Sequence, residues 1–153
     1  MPKQSAGILL YRRGPRLEVF LVHPGGPFWA GKDDGAWSIP KGEFDEGEEP
    51  LAAARREFAE ETGFAVSGHF TALQPVKQKG GKIVYAFAIE GDCDAQAIRS
   101  NTFEMEWPRG SGKSVAFPEA DRAQWFESQL AKRKLNPAQA NLIDQLQALL
   151  PNL

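Results

Sequence analysis

The chain has 153 residues, 42% of them hydrophobic and 25% charged, with a formal net charge of −2 and an isoelectric point near 5.7. That length and balance suit one globular domain with a real core and argue against a disordered or fibrous chain, while the slight acidity gives no global attraction to nucleic acid or to a membrane surface. The opening MPKQSAGILLYRR is too short in its apolar run for a secretion signal, no stretch reaches membrane-spanning length, and the single cysteine, Cys93, has no partner in the chain, so a cytoplasmic location and a structural thiol are expected.

Ser5 to Tyr11 and Leu17 to Val22 are short β-rich runs, and the intervening Arg12-Arg13-Gly14-Pro15 predicts a hairpin. Arg12, Arg13 and His23 could reach an anionic ligand, but turn arginines and a strand-end histidine are more often structural. From Pro24 to Lys41 the chain runs PGGPFWAGKDDGAWSIPK, a loop longer than a compact domain usually needs, and such loops often carry binding. Phe28 and Trp29 are candidates for stacking on a nucleobase, which offers a π-face whatever its identity. Trp37, inside the apolar WSIP run, is expected to anchor the loop to the core. Lys41 is a candidate for neutralising a substrate phosphate.

The next stretch, GEFDEGEEPLAAARREFAEETGF over Gly42 to Phe64, is the densest in carboxylates. Pro50 suits the first helical position after an N-cap at Glu49, LAAARREFAEET is rich in helix formers, and Gly63 falls where a left-handed C-cap belongs, which predicts a helix over Pro50 to Thr62. At about 100° per residue, Glu57 and Glu61 project roughly 40° apart and Glu60 about 60° to the other side of Glu57. Leu51, Ala54 and Phe58 form the apolar stripe beside them, and Ala53 falls among the acids. Three carboxylates on one face repel unless cations neutralise them, and clustered hard oxygen ligands suit Mg²⁺ or Mn²⁺. A solvated acidic face paired with Arg55 and Arg56 is the plainer alternative.

Gly42, Glu48, Arg56, Glu57, Phe58, Glu60, Glu61, Gly63 and Phe64 together match the spacing of the Nudix box, and on those nine positions the chain resembles the Nudix hydrolases. The resemblance implies one Nudix domain over residues 1–153, with an α/β/α sandwich and a mixed sheet. It also implies Mg²⁺- or Mn²⁺-dependent hydrolysis of a small-molecule nucleotide, with no membrane partner, nucleic acid not expected, and the oligomeric state left open. By position it makes Glu57, Glu60 and Glu61 metal ligands, with the Lys41 carbonyl as a possible further one. Arg56 becomes the residue that orients Glu57 and Glu48 a supporting acid.

Beyond the box, Ala65 to Val76 and Lys82 to Glu90 are expected to be strands joined by a Gly80-Gly81 turn. Lys77, Lys79 and Lys82 give the turn a basic tip, and Lys79 is the candidate for the far end of a polyphosphate. Thr102 to Trp107 should be another strand, Pro108 to Lys113 a loop, and Gln124 to Phe126 lie within a last strand. Nudix enzymes often use a further carboxylate outside the box as base or ligand, and Glu119 resembles such a residue, with Glu104 and Glu106 in competition. Asn136 and Pro137 predict the start of a structural helix that runs to Leu150.

WSIPKG and FPEADRAQWF are similar to the diadenosine tetraphosphate hydrolase branch, which implies asymmetric cleavage to ATP and AMP. Glu43 stands where that branch often has His, and Gly80 to Lys82 where it often has Tyr. A nucleoside triphosphate pyrophosphohydrolase is the alternative, and a non-catalytic nucleotide-sensing or RNA-binding module is the alternative of another class.

Overall fold

A computed structural model describes residues 3–150. The first hairpin forms as the sequence predicts, with β1 over Gln4–Arg13 and β2 over Leu17–Pro24. β1 is apolar on both faces because both are covered: Ala6, Ile8 and Leu10 point to one layer and Leu9 to the other. Its centrality follows from its pairings. β1 runs parallel to β6 (Ile83–Glu90) and antiparallel to β2 and to the short β3 (Lys41–Glu43). The sheet is therefore mixed, in the order β4-β6-β1-β2-β9, where β4 is Thr71–Ala72 and β9 is Ala120–Glu127.

β2 pairs with β1 only near the turn, at Tyr11 to Arg13, and β3 takes over the same edge of β1 at Ser5 to Gly7. Between them, Ser38 exchanges backbone hydrogen bonds with Val22, and Ile8 N–H donates to the Pro40 carbonyl at 3.1 Å. The loop after β2 thus wedges the sheet open at one end. That opening is where the carboxylates collect.

Helix α1 spans Pro50–Thr62, with Gly63 at φ 80° and its N–H donating to the Ala59 carbonyl at 2.8 Å. It lies on one face of the sheet through Ala53, Ala54 and Phe58, all fully buried, with Phe58 against Phe20 at 6.0 Å between ring centroids. Ala53 is therefore a core contact rather than a gap among the acids. Leu142, Ile143 and Leu146 of α3 (Ala140–Leu149) and Ala131 of α2 (Ser128–Lys134) cover the other face, completing an α/β/α sandwich. Among the described residues no helix is long and apolar enough to cross a membrane.

Two expectations are corrected, the single strand over residues 65–76 and the start of the last helix. Residues 65–76 do not form one strand. Gly68 sits at φ 132° and Pro75 has no N–H to donate, so only Thr71–Ala72 and β5 (Val76–Lys77) pair with β6. Thr102–Glu106 is a strand, β7, but it pairs with β8 (Ser114–Pro118) in a separate two-stranded sheet. The last helix begins with a 3₁₀ turn over Pro137–Gln139, capped by the Asn136 side chain accepting from Ala138 N–H, before α3 proper.

Candidate active site

The wedge between β2 and β3 opens into a cleft of about 470 Å³. It is lined by Glu57, Glu60 and Glu61 from the edge of α1, by Lys41 and Glu43 of β3 with Lys82, and by Asn101 and Glu119. β3 fits tightly against α1, because Gly42 has no side chain. A Cβ there would lie 2.1 Å from the Glu57 carboxyl. The C-terminal end of α1 is held by the chain after β6: Arg99 N–H donates to the Thr62 carbonyl at 2.8 Å and Asn101 N–H to the Glu60 carbonyl at 2.7 Å.

Arg56 uses its whole guanidinium inside the acid cluster. Nε and Nη2 grip the Glu48 carboxylate, each at 2.9 Å, while Nη1 donates to Glu57 at 2.9 Å and to Glu60 at 3.3 Å. The fork on Glu48, aided by Glu57 and Glu60, holds Arg56 firmly in its charged form. Glu48 is thereby kept below the usual carboxylate range.

At Glu57, Glu61 and Glu119 burial outweighs any such compensation. Burial, and then Glu60, raise the Glu57 carboxyl, against the pull of Arg56. Burial pushes Glu61 up to about 8, with Glu57 and Glu119 adding to the rise and Lys41 opposing it. Glu119 is raised by desolvation and by Glu60. Desolvation and the neighbouring Lys82 lower the Lys41 ammonium, against the pull of Glu61 and Glu43. Amines and acids meet directly here: Lys82 pairs at 3.7 Å with Glu43, which also lines the cleft, and the Lys41 backbone N–H donates to the Glu61 carboxylate.

Among the described residues no three carboxylates converge as a ready-formed metal cage, since Glu57 and Glu60 both turn toward Arg56 Nη1. The donor chemistry nonetheless fits a hard divalent cation, because every acid facing the cleft is an oxygen donor, and burial followed by like-charged neighbours raises the Glu57, Glu61 and Glu119 carboxyls. Ser5 gives a second sign of a ligand. Its hydroxyl is buried at the cleft with no hydrogen-bond partner, which costs about 1–3 kcal/mol when nothing fills the space.

Of the residues singled out from sequence, Lys41, Glu57, Glu60, Glu61 and Glu119 meet around the cleft, and Arg56 braces it from behind. Lys79 does not line it; it sits exposed in the turn before β6. Lys82 does, because it immediately precedes the strand that pairs with Gln4 and Ser5. Phe28 and Trp29 lie outside the lining, 55% and 39% exposed. Trp37 is buried, its indole N–H donating to Asp33 at 2.8 Å. Glu106 is occupied in accepting from Gly110 and Gly112 N–H, and Glu104 is on the exposed β7, so of the three outside carboxylates only Glu119 borders the cleft.

His23 is buried between Asp121 and the Lys32 carbonyl. Arg12 pairs with Glu18 and Asp92, and Arg13 with Glu90, so none of the three reaches the cleft. The half-buried Cys93 thiol is pushed up to about 11 by desolvation and Asp92, consistent with an unreactive cysteine. Sequence reasoning missed Ser5 and Asn101 as cleft residues. A lone serine at a strand start and an asparagine in a loop carry no local mark.

A mixed sheet between helices, with a loop and helix presenting clustered carboxylates at its split edge, defines the class. The chain belongs to the NUDIX domain family, which it matches over residues 1–146. It is 38% identical over 81 residues to an RNA pyrophosphohydrolase of Caulobacter vibrioides, a match covering 50% of this chain and 44% of the relative. A second relative, the RNA pyrophosphohydrolase of Bartonella bacilliformis, is 42% identical over 66 residues, or 36% of this chain and 38% of that one. The chain thus spans less than half the length of these curated relatives.

Solved structures extend the likeness across the fold. The Ap4A hydrolase of C. elegans, as a binary complex, superposes with TM-score 0.65 at 20% identity over 99% of both chains. The NUDIX domain of Shewanella oneidensis NrtR, bound to ADP ribose, gives 0.66 at 16% identity over 98% of this chain and 89% of that one.

Proposed function

We propose that this chain hydrolyses a pyrophosphate linkage in a nucleoside polyphosphate, diadenosine tetraphosphate by preference, giving ATP and AMP. The observation that carries the reading is the cleft itself, which gathers Glu57, Glu60, Glu61 and Glu119 with Lys41 and Lys82. A phosphate chain laid in it meets two ammonium groups, and its remaining charge beside the acids requires cations. Glu57, Glu60 and Glu61 would hold Mg²⁺, or Mn²⁺ in its place. When bound, the ion supplies charge neutralisation on the phosphate oxygens and a lowered pKa for attacking water.

The chain's own residues do the rest. Arg56 keeps Glu57 and Glu60 fixed against their mutual repulsion, so that little reorganisation is left for the moment of reaction. Lys41 and Lys82 orient the polyphosphate. We assign to Glu119 the removal of the proton as water oxygen bonds to phosphorus and the bridging P–O bond breaks, the electron pair leaving on the nucleotide product. The preference for diadenosine tetraphosphate is supported by the WSIPKG and FPEADRAQWF stretches.

A second reading is supported by the curated relatives, whose names assign them RNA: removal of pyrophosphate from an RNA 5′ end uses the same cleft chemistry. It would bring in nucleic acid, which charge and composition gave no reason to expect. Both readings are tested by turnover of diadenosine tetraphosphate, ATP and 5′-triphosphorylated RNA with Mg²⁺, run in ¹⁸O-labelled water with products identified by mass. ATP and AMP from the best substrate support the first reading. Dominant pyrophosphate release from ATP moves the assignment to a triphosphate pyrophosphohydrolase, and from RNA to the second reading. Glu60→Gln and Glu61→Gln should each remove most turnover while the protein stays folded; near wild-type rates at saturating Mg²⁺ overturn the metal assignment. Tight nucleotide binding without any turnover would instead make the chain a sensing module.

A further inference from the structure

The β7–β8 hairpin springs from the cleft itself. Its two roots are Asn101 and Glu119, joined by a 2.9 Å hydrogen bond from Glu119 N–H to the Asn101 carbonyl, and both border the cleft. Neither strand joins the main sheet. At about 3.4 Å per residue, five residues of β7 carry its tip roughly 17 Å outward.

The arm has a built tip. Trp107 N–H donates to the Lys113 carbonyl at 3.0 Å, and the Glu106 carboxylate gathers Gly110 and Gly112 N–H at 2.8 and 3.1 Å. Strand alternation puts Phe103, Met105 and Trp107 on one face. That face leans on the loop after β2: the Phe103 ring lies under Gly26, where a Cβ would approach it to 2.9 Å, and Trp107 meets Phe28 edge-on at 6.2 Å. Both aromatics stay open, Phe28 at 55% and Trp107 at 38% exposure. Arg109 and Lys113 stand exposed beside them.

Large exposed aromatics are unusual on a surface that needs only to be wet, and flanking cations point to a partner that is both flat and anionic. The reach of the arm exceeds what a nucleoside joined directly to the attacked phosphate covers. We propose that Trp107, with Arg109, forms a stacking subsite for a second nucleobase of the substrate, beyond the linkage that the acids address. This rests on the reading of the cleft as a polyphosphate site. Two substrates share the chemistry: a dinucleoside polyphosphate, through its far nucleoside, and a 5′-phosphorylated RNA, through its second nucleotide.

The test uses the full chain and the variants Trp107→Ala and Arg109→Gln, with melting curves to verify folding. kcat/KM is measured with Mg²⁺ on diadenosine tetraphosphate, on a 5′-triphosphorylated dinucleotide and on ATP. Loss of one base–aromatic stack predicts a fall of roughly tenfold on a two-base substrate, mostly in KM, and near wild-type values on ATP. Whichever two-base substrate loses more identifies the source. Equal losses on all three substrates would make the arm scaffolding and overturn the proposal, as would no loss on any. If Trp107→Ala fails to fold, Arg109→Gln carries the same comparison. A wild-type protein that cleaves a two-base substrate no differently from its variants defeats the arm alone. One that neither cleaves nor binds any nucleotide defeats both the arm and the reading of the cleft.

Discussion

Burial holds the Glu61 carboxyl up to about 8, whereas in the unfolded chain it ionises near 4.5. Between those values the folded state keeps a proton that the unfolded state gives up, so stability falls as pH rises through the window. Protein prepared without divalent cations should therefore melt lower at pH 8.5 than at pH 5.5, and Glu61→Gln should flatten that slope. Added Mg²⁺ should raise the melting temperature more at the higher pH, since the ion binds the carboxylate form. Identical slopes in the variant and the wild type would remove Glu61 from the account. Gly42 tests the neighbouring acid. In Gly42→Ala the atoms nearest the new methyl are all at the flexible end of Glu57, so the fold can stay while the carboxylate must swing away. Turnover should fall roughly 10- to 100-fold, as when a supporting contact of a metal site is lost, at a melting temperature close to wild type. Unchanged turnover would show that the Glu57 position does not matter.

At the scale of elements, α1 was legible because its ends carry chemical marks: Pro50 begins it and Gly63, left-handed, ends it. The first hairpin was legible from its turn. β3 was not, since Lys41-Gly42-Glu43 has no periodicity and becomes a strand only by meeting Ser5 to Gly7 of β1. β8 was hidden behind the Gly-rich tip whose shape Glu106 organises. α2 was missed for a different reason: it is seven residues long and its cap is the Glu127 side chain, accepting from Gln129 and Leu130 N–H, rather than one of the usual short polar caps. The single strand expected over 65–76 failed on Gly68 and Pro75, whose backbone limits outweighed the β-rich residues around them.

At the scale of the molecule, Glu57, Glu60 and Glu61 could be read because they are neighbours in one helix, while the cleft's second lysine could not, because strand pairing rather than sequence proximity selects Lys82 over Lys79. The sandwich also separates stability from function. Two apolar layers share one sheet: Phe58 belongs to the layer under α1, and Leu146 to the layer under α2 and α3. Phe58→Ala and Leu146→Ala should each cost about 2–5 kcal/mol, and each variant should unfold in one transition because neither layer can stand without the sheet. Their effects on the cleft should differ. A cavity at Phe58 loosens the helix that carries Glu57, Glu60 and Glu61, so more Mg²⁺ should be needed for half-maximal rate. A cavity at Leu146 lies on the far side of β1, and its metal requirement should match wild type at temperatures where both variants are folded. Denaturant melts paired with Mg²⁺ titrations make the comparison. An equal rise in metal requirement for Leu146→Ala would mean that the far layer sets the geometry of the acids through the sheet, and that α1 does not hold them alone.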